Sequence, residues 1–268
     1  MKTVFIDCSP KKRLSASGFI ASFTSVFVHG MKEKEKLKTR SDYNRILERI
    51  ASADNVVFAM PLYVDGVPSH VLPFLKEMEK YCAVNHPDIS LYVISNNGFI
   101  EGRQNEPLMQ IMENFCRRSG IKWCGGLGIG GGVMMNVMRI MITVFFGITV
   151  LNTVLTGIRS GNFLVSDPWI DFGKQLLEVL VLGCGIITLD LWLASCINRQ
   201  KEYGKHYTRI MLPSFVFILL ADIFFTVVSL FQGGIFRGWF SKKSPTAVIH
   251  GETLENVYTN FKNQGKNE

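Results

Sequence analysis

No two cysteines in this 268-residue chain form a Cys-x-x-Cys pair; Cys8, Cys82, Cys116, Cys124, Cys184 and Cys196 are scattered along its length. That spacing excludes a zinc ribbon, an iron–sulfur cluster and a secreted disulfide scaffold, and it points to a reducing, cytosol-facing compartment. There is no Gly-x-x-x-x-Gly-Lys and no Gly-x-Gly-x-x-Gly, so neither a nucleoside-triphosphate loop nor a dinucleotide fingerprint applies. His70, His86 and His206 stand apart without metal-ligand spacing, and no metal is expected. The first seven residues hold only a short apolar run, too brief for a signal-peptide core, so the N-terminus is expected to stay on the side of synthesis. Charge is sparse as well, at 19% of residues.

What the chain has is apolar mass. Hydrophobic residues make up 47% and mean hydropathy is +0.20, which excludes disorder and exceeds what a water-soluble domain needs. Net charge is +7, and the first fifty residues hold 11 Lys or Arg against 5 Asp or Glu. A basic front end suits anionic ligands or an anionic membrane surface, although such clusters also serve as solvated faces. The basic residues lack the interleaved aromatics of a stacking platform, so nucleic-acid binding is not expected.

Through residue 132 short β-type runs alternate with helical periodicity, the rhythm of a parallel sheet flanked by helices. Strands are expected at 4–7, 35–38, 55–60, 91–95 and 121–124, and helices at 15–29, 42–52, 69–81 and 106–119. Five strands interleaved with helices make a doubly wound sheet, order 2-1-3-4-5, whose ligands sit at the carboxyl ends of the strands. From residue 133 the pattern changes. Residues 140–158, 179–197 and 210–231 are each long and apolar enough to cross a bilayer, which takes about 20 residues. The expectation is therefore an α/β domain over 1–132, an all-α transmembrane region over 133–235 with three spans, and a polar tail over 236–268. The lipid bilayer is an expected partner, and the N-terminal domain is expected to be cytoplasmic, together with the basic segment around Arg199, Lys201, Lys205 and Arg209.

Three loops at the carboxyl ends of strands carry candidate chemistry. After the first strand, Ser9, Ser15 and Ser17 with Lys11 and Arg13 open a helix; the segment reads either as a phosphate cradle or as a capped helix with solvated lysines. After the third, Met60-Pro61-Leu62-Tyr63-Val64-Asp65-Gly66 uses its proline and glycine to present an aromatic ring rigidly. After the fourth, Ser95, Asn96, Asn97 and Gly98 offer hydroxyl and amide groups to a heterocycle edge, or form an Asn-Gly turn. The glycine run 125–132 reads as a ligand approach or, preferably, as a flexible joint to the first span. Asp190 and Asp222 lie near the middle of apolar stretches, where an acid marks either packing between helices or a proton path or quinone pocket.

These segments together carry a family resemblance. SPKKRLSAS, ADNVVFAMPLYVDGVPSHVLPFLKEME and ISNNGFIEGRQNEPLMQIMENFCRRSGIKW resemble the flavodoxin-like NAD(P)H-dependent FMN reductases and related flavodoxin-family oxidoreductases, over about the first 130 residues. The resemblance implies a flavodoxin-like fold, FMN as cofactor and NAD(P)H as electron donor. It implies that Ser9, Lys11, Ser15 and Ser17 hold the FMN phosphate. Pro61, Leu62, Tyr63 and Val64 would lie along the isoalloxazine ring, and Ser95, Asn96, Asn97 and Gly98 would touch its edge. It implies hydride transfer to a small-molecule acceptor such as a quinone, no catalytic side chain, and a homodimer. The alternative is a catalytically silent flavodoxin-like module serving as sensor or scaffold for the membrane helices. Cys8 stands where the family has asparagine or glycine, and Lys-Lys-Arg-Leu where it often has a glycine.

Overall fold

The computed structural model of the chain describes residues 1–11, 15–160, 167–231, 248–249 and 252–253. Lys12, Arg13 and Leu14, and most of the expected 236–268 tail, lie outside the described residues. Met1–Ser214 form one compact unit and Phe215–Glu268 a second.

The first unit is a parallel sheet. Its strands β1 (Lys2–Asp7), β2 (Met31–Lys36), β3 (Asn55–Pro61), β4 (Ser90–Asn96), β5 (Lys122–Gly130) and β6 (Gly204–Arg209) run in the order β2-β1-β3-β4-β5-β6. β3 and β4 are buried along nearly their whole length, which is why they read as continuous Val/Ile/Phe/Leu runs rather than alternating ones. Helices α1 (Ala16–Phe27), α2 (Tyr43–Ile50), α3 (Val71–Asn85) and α4 (Glu106–Ser119) form the crossovers. The last closes on Gly120 at φ 68°, a left-handed cap that favours glycine. Phe74, Met78, Met112 and Phe115, on α3 and α4, join Phe58 and Val93 in the main core.

The sheet has six strands, not the expected five, and the region read as all-helical supplies the sixth. After β5 the chain makes two long helices, α5 (Gly132–Ser160) and α6 (Asp167–Asn198), and returns as β6, parallel to β5. Two features hid β6. Its sequence GKHYTR is polar and partly exposed, as an edge strand's is, and its partner is a strand of glycines. The 125–130 run is not a joint but most of β5. A β-carbon at Gly125 would lie 2.1 Å from the Gly204 carbonyl oxygen, and one at Gly130 would lie 2.1 Å from that of Ile100. Glycine is depleted in strands in general, yet here the close approach of backbone on both sides requires it.

The end of α6 belongs to this domain. Ile186, Leu193, Ala194 and Ile197 are buried. The Asn55 amide donates to the Ile197 carbonyl (3.4 Å), the Tyr92 hydroxyl to that of Lys201 (2.9 Å), and the Asn198 amide to that of Phe27 (2.9 Å). Asp190 is thus fully buried between α6 and α1 and accepts from the Thr24 hydroxyl at 2.7 Å; its partner is a threonine of the α/β domain.

Among the described residues two helical stretches are long and apolar enough to cross a membrane, Met134–Arg159 and Asp167–Asn198. Only 11% and 17% of their apolar windows are buried. The second unit contributes α7 (Ser214–Phe231), apolar over 18 residues, where the span 210–231 is expected, and a two-residue-per-strand hairpin of β7 (Val248–Ile249) and β8 (Glu252–Thr253).

Candidate functional site

The three loops meet. In a doubly wound sheet the connections after adjacent strands leave in opposite directions at the switch point, here between β1 and β3, and open a crevice at their carboxyl ends. That crevice is a cleft lined from the first loop by Ser9, Lys11 and Ser17, from the second by Pro61, Leu62 and Tyr63, and from the third by Asn96, Asn97 and Gly98. Three predicted residues do not line it. Ser15 turns its hydroxyl back to cap α1, accepting from the Gly18 N–H at 3.0 Å. Ser95 is buried and donates to Asn105 Oδ1 at 2.7 Å, bracing the loop. Val64 is fully exposed at the tip of its turn.

That turn is tight and strained. Tyr63 and Gly66 exchange backbone hydrogen bonds of 3.1 and 3.0 Å, and the residues between them, Val64 and Asp65, have φ of 46° and 55°. A β-branched residue rarely adopts this conformation, and local strain of this kind persists where it fixes a functional side chain. Here it holds Tyr63, whose side of the turn faces the cleft. Val64→Asn is expected to raise stability by about 1 kcal/mol, because asparagine tolerates the left-handed region; denaturant unfolding of the full chain checks it.

Sequence reasoning missed one wall. The first turn of α5 contributes Gly132 and Asn136, four residues apart and so on one helix face. Gly132 N–H donates to the Asn97 carbonyl at 2.7 Å, and a β-carbon at Gly132 would lie 2.4 Å from Asn96 Nδ2. Glycine is required there for the helix to start against the third loop. The signal lay in the last glycine of the run followed four residues later by asparagine, but the expected domain boundary after residue 132 put Asn136 in the membrane region.

The electrostatics favour an electron-rich, partly anionic ligand. The N-termini of α1 and α5 both abut the cleft, and neither has an acidic residue in its first turn, so the positive ends of both helix dipoles point there. Lys11 adds a cation. Against this, Asp7 accepts from the Ser9 N–H at 3.0 Å and from the Ser15 hydroxyl at 3.4 Å, and pairs with Lys36 at 3.6 Å. One backbone donor of the first loop is therefore already engaged. Cys8 is no nucleophile: burial, with the Asp7 carboxylate beside it, pushes its thiol well above the usual range.

A flat heteroaromatic ring with polar edges fits what remains. The side-chain oxygens of Asn96, Asn97 and Asn136 are buried and have no hydrogen-bond partner among the described residues. Buried amide oxygens left unpaired cost about 1–3 kcal/mol each, and these three belong to residues of one cleft beside the Tyr63 ring. Among the described residues the lining contains hydroxyls, amides and Lys11. None of these side chains carries a hydride, so redox chemistry in the cleft would come from a bound group.

No family model matches the chain, and no curated protein matches it. Solved structures do, over its N-terminal half. The Trp repressor binding protein of Bacillus subtilis is 20% identical over 47% of this chain and 85% of that one, with a TM-score of 0.40. An NADPH-quinone reductase from P. pentosaceus is 16% identical over 49% and 86%, with a TM-score of 0.42. The NAD(P)H:quinone oxidoreductase of Methanothermobacter marburgensis is 18% identical over 52% and 92%, also with a TM-score of 0.42. The parallel order β2-β1-β3-β4-β5, with β6 added at its edge, is flavodoxin-like.

Proposed function

We propose that the chain is a membrane-tethered flavoprotein oxidoreductase that binds FMN in the cleft, takes reducing equivalents from NAD(P)H and passes them to a small acceptor, a lipid-soluble quinone being the class that suits its surroundings. The observation that carries this reading is the convergence of three unpaired amide oxygens, from Asn96, Asn97 and Asn136, on a cleft walled by Tyr63 and two helix N-termini. When bound, FMN supplies the hydride chemistry. Ser9, Ser17, Lys11 and the start of α1 hold its phosphate end. Tyr63 and Leu62 would cover one ring face and exclude water from it, while the amide oxygens of Asn96, Asn97 and Asn136 would accept from the single N–H of the oxidised ring and from the ribityl hydroxyls.

The membrane part of the reading rests on α5 and α6. Their apolar residues are largely exposed, as with Leu151, Leu155, Leu177 and Val181, and such a surface needs lipid or protein to cover it. Because α5 begins in the cleft wall, an acceptor dissolved in that lipid has a short route to the flavin. The two helices leave and re-enter one domain, so the hairpin crosses and returns, and β6 with Lys205 and Arg209 stays on the domain's side. A second reading, a silent flavodoxin-like module, is favoured by Asp7 occupying donors of the phosphate loop.

FMN fluorescence titration of the detergent-purified full chain separates the two. FMN is expected to bind, and Asn97→Leu to weaken it about tenfold through loss of a hydrogen bond from the ring edge. A protein that leaves FMN fluorescence unchanged at any concentration overturns the proposal in favour of the second reading.

A further inference from the structure

Beside the cleft, and separated from it by α1 and α5, is a second, half-open cavity. Gly132 and Asn136 of α5 face the cleft, whereas Met138 and Ile142 face this cavity; Phe19 and Phe23 of α1 and Gly183 and Ile187 of α6 complete its walls. The lining is hydrocarbon except for two residues. Arg139 holds its guanidinium over the Phe19 ring, 4.2 Å from the centroid, a cation–π contact. Asp190 is fully buried; Thr24 bonds one of its oxygens, and the other, Oδ2, has no partner among the described residues.

The cavity runs along α6 from Val179 to Asp190, about 16 Å at the helical rise of 1.5 Å per residue. Asp190 lies where α6 packs on the α/β domain. Val179 and Leu180 lie where α6 is exposed and apolar, so this end opens onto the surface that faces lipid. A slot with an unpaired polar atom at its deep end and a hydrocarbon exit has the chemistry of a single-chain amphiphile bound head inward.

We propose that the cavity between α1, α5 and α6 binds one hydrocarbon chain whose polar end donates a hydrogen bond. The end group donates to Asp190 Oδ2, and the chain passes Gly183 and Leu180 toward the exposed apolar face of α6. A long-chain fatty acid in its protonated form and a prenylated hydroquinone share this chemistry. The inference is independent of flavin binding.

The test is equilibrium binding to the full chain in phosphatidylcholine nanodiscs, without NAD(P)H, using radiolabelled palmitic acid and a decyl-chain benzohydroquinone as separate probes. A β-carbon at Gly183 meets only Ile187 Cδ1 at 3.8 Å, so Gly183→Leu fills the slot without displacing backbone. Saturable binding of either probe is expected, weakened at least tenfold by Gly183→Leu and by Asp190→Leu and unchanged by Val181→Leu on the exposed face of the same turn. Palmitic acid alone assigns the acyl class, and the hydroquinone alone the redox-lipid class. Circular dichroism and gel-filtration elution report folding of each variant, and Ile187→Phe replaces any that fails them. Non-saturable partitioning of both probes, or saturable binding that the filled slot leaves unchanged, overturns the proposal.

Discussion

Gly125→Ala is expected to destabilise the α/β domain by about 4 kcal/mol, among the largest effects of any single substitution in the chain. Two costs add at this position. Gly125 has φ 114°, outside the range L side chains adopt comfortably, and the new β-carbon would lie 2.1 Å from Gly204 O and 2.5 Å from Gly204 N. Both are backbone atoms, which cannot rotate aside as a side chain would. The clash falls on the first pair of the β5–β6 ladder, so β6 is expected to undock and to release Tyr203, whose hydroxyl donates to the Leu189 carbonyl at 3.0 Å. Gly120→Ala serves as the control. It too has a left-handed φ, of 68°, but nothing lies within 4 Å of its β-carbon, so it carries only the conformational cost of about 1 kcal/mol. Urea unfolding in detergent and protease cleavage within 199–209 measure both; equal losses from the two variants would show that β6 is not packed as described.

Tyr63→Ala is expected to weaken FMN binding about thirtyfold, corresponding to about 2 kcal/mol of lost stacking. The ring is held by the Tyr63–Gly66 turn and half exposed along the cleft, so its removal opens one face to water without disturbing the sheet. Because Tyr63 is outside the core, unfolding stability should change by less than about 0.5 kcal/mol. That separation of effects distinguishes a binding residue from a structural one. Val64→Asn, one residue along the turn, is expected to act in the opposite sense on stability and to leave FMN affinity unaltered.

The α/β half was legible because its signals are strong ones. The buried run at 55–60 has no other use than an inner strand, and helix 106–119 carries its own stop in Gly120; both lie where the sequence places them, with β3 one residue longer. The site was legible through its loops, since a strand's carboxyl end followed by small polar residues or a rigid aromatic is visible locally. What escaped was non-local. Gly125 to Gly130 read as a linker because glycine has low strand propensity, and only the approach of Gly204 and Ile100 explains it. β6 read as a basic loop because Lys205 and Arg209 are charged. Their partners, Glu106 and Glu113 for Lys205 and Glu101 for Arg209, lie about a hundred residues earlier in the chain.

Asp190 shows the same limitation from the other side. Its position in a 19-residue apolar stretch reads as mid-membrane, whereas the end of α6 is the helix that covers the α1 face of the sheet. Apolar periodicity reports burial and does not distinguish lipid from protein as the cover. Only the hydrogen bonds of Asn55 to Ile197, Tyr92 to Cys196 and Thr24 to Asp190 show which part of this helix the domain claims.

The most direct test of the flavoprotein reading is the visible absorption spectrum of the detergent-purified full-length protein, recorded with added FMN after removal of unbound cofactor and again after anaerobic addition of NADPH, then NADH. The account predicts the two bands of a bound oxidised flavin, retained by the protein through gel filtration and bleached by at least one of the two nucleotides. A colourless protein that lets FMN pass would contradict it and leave the cleft an inherited shape without its chemistry.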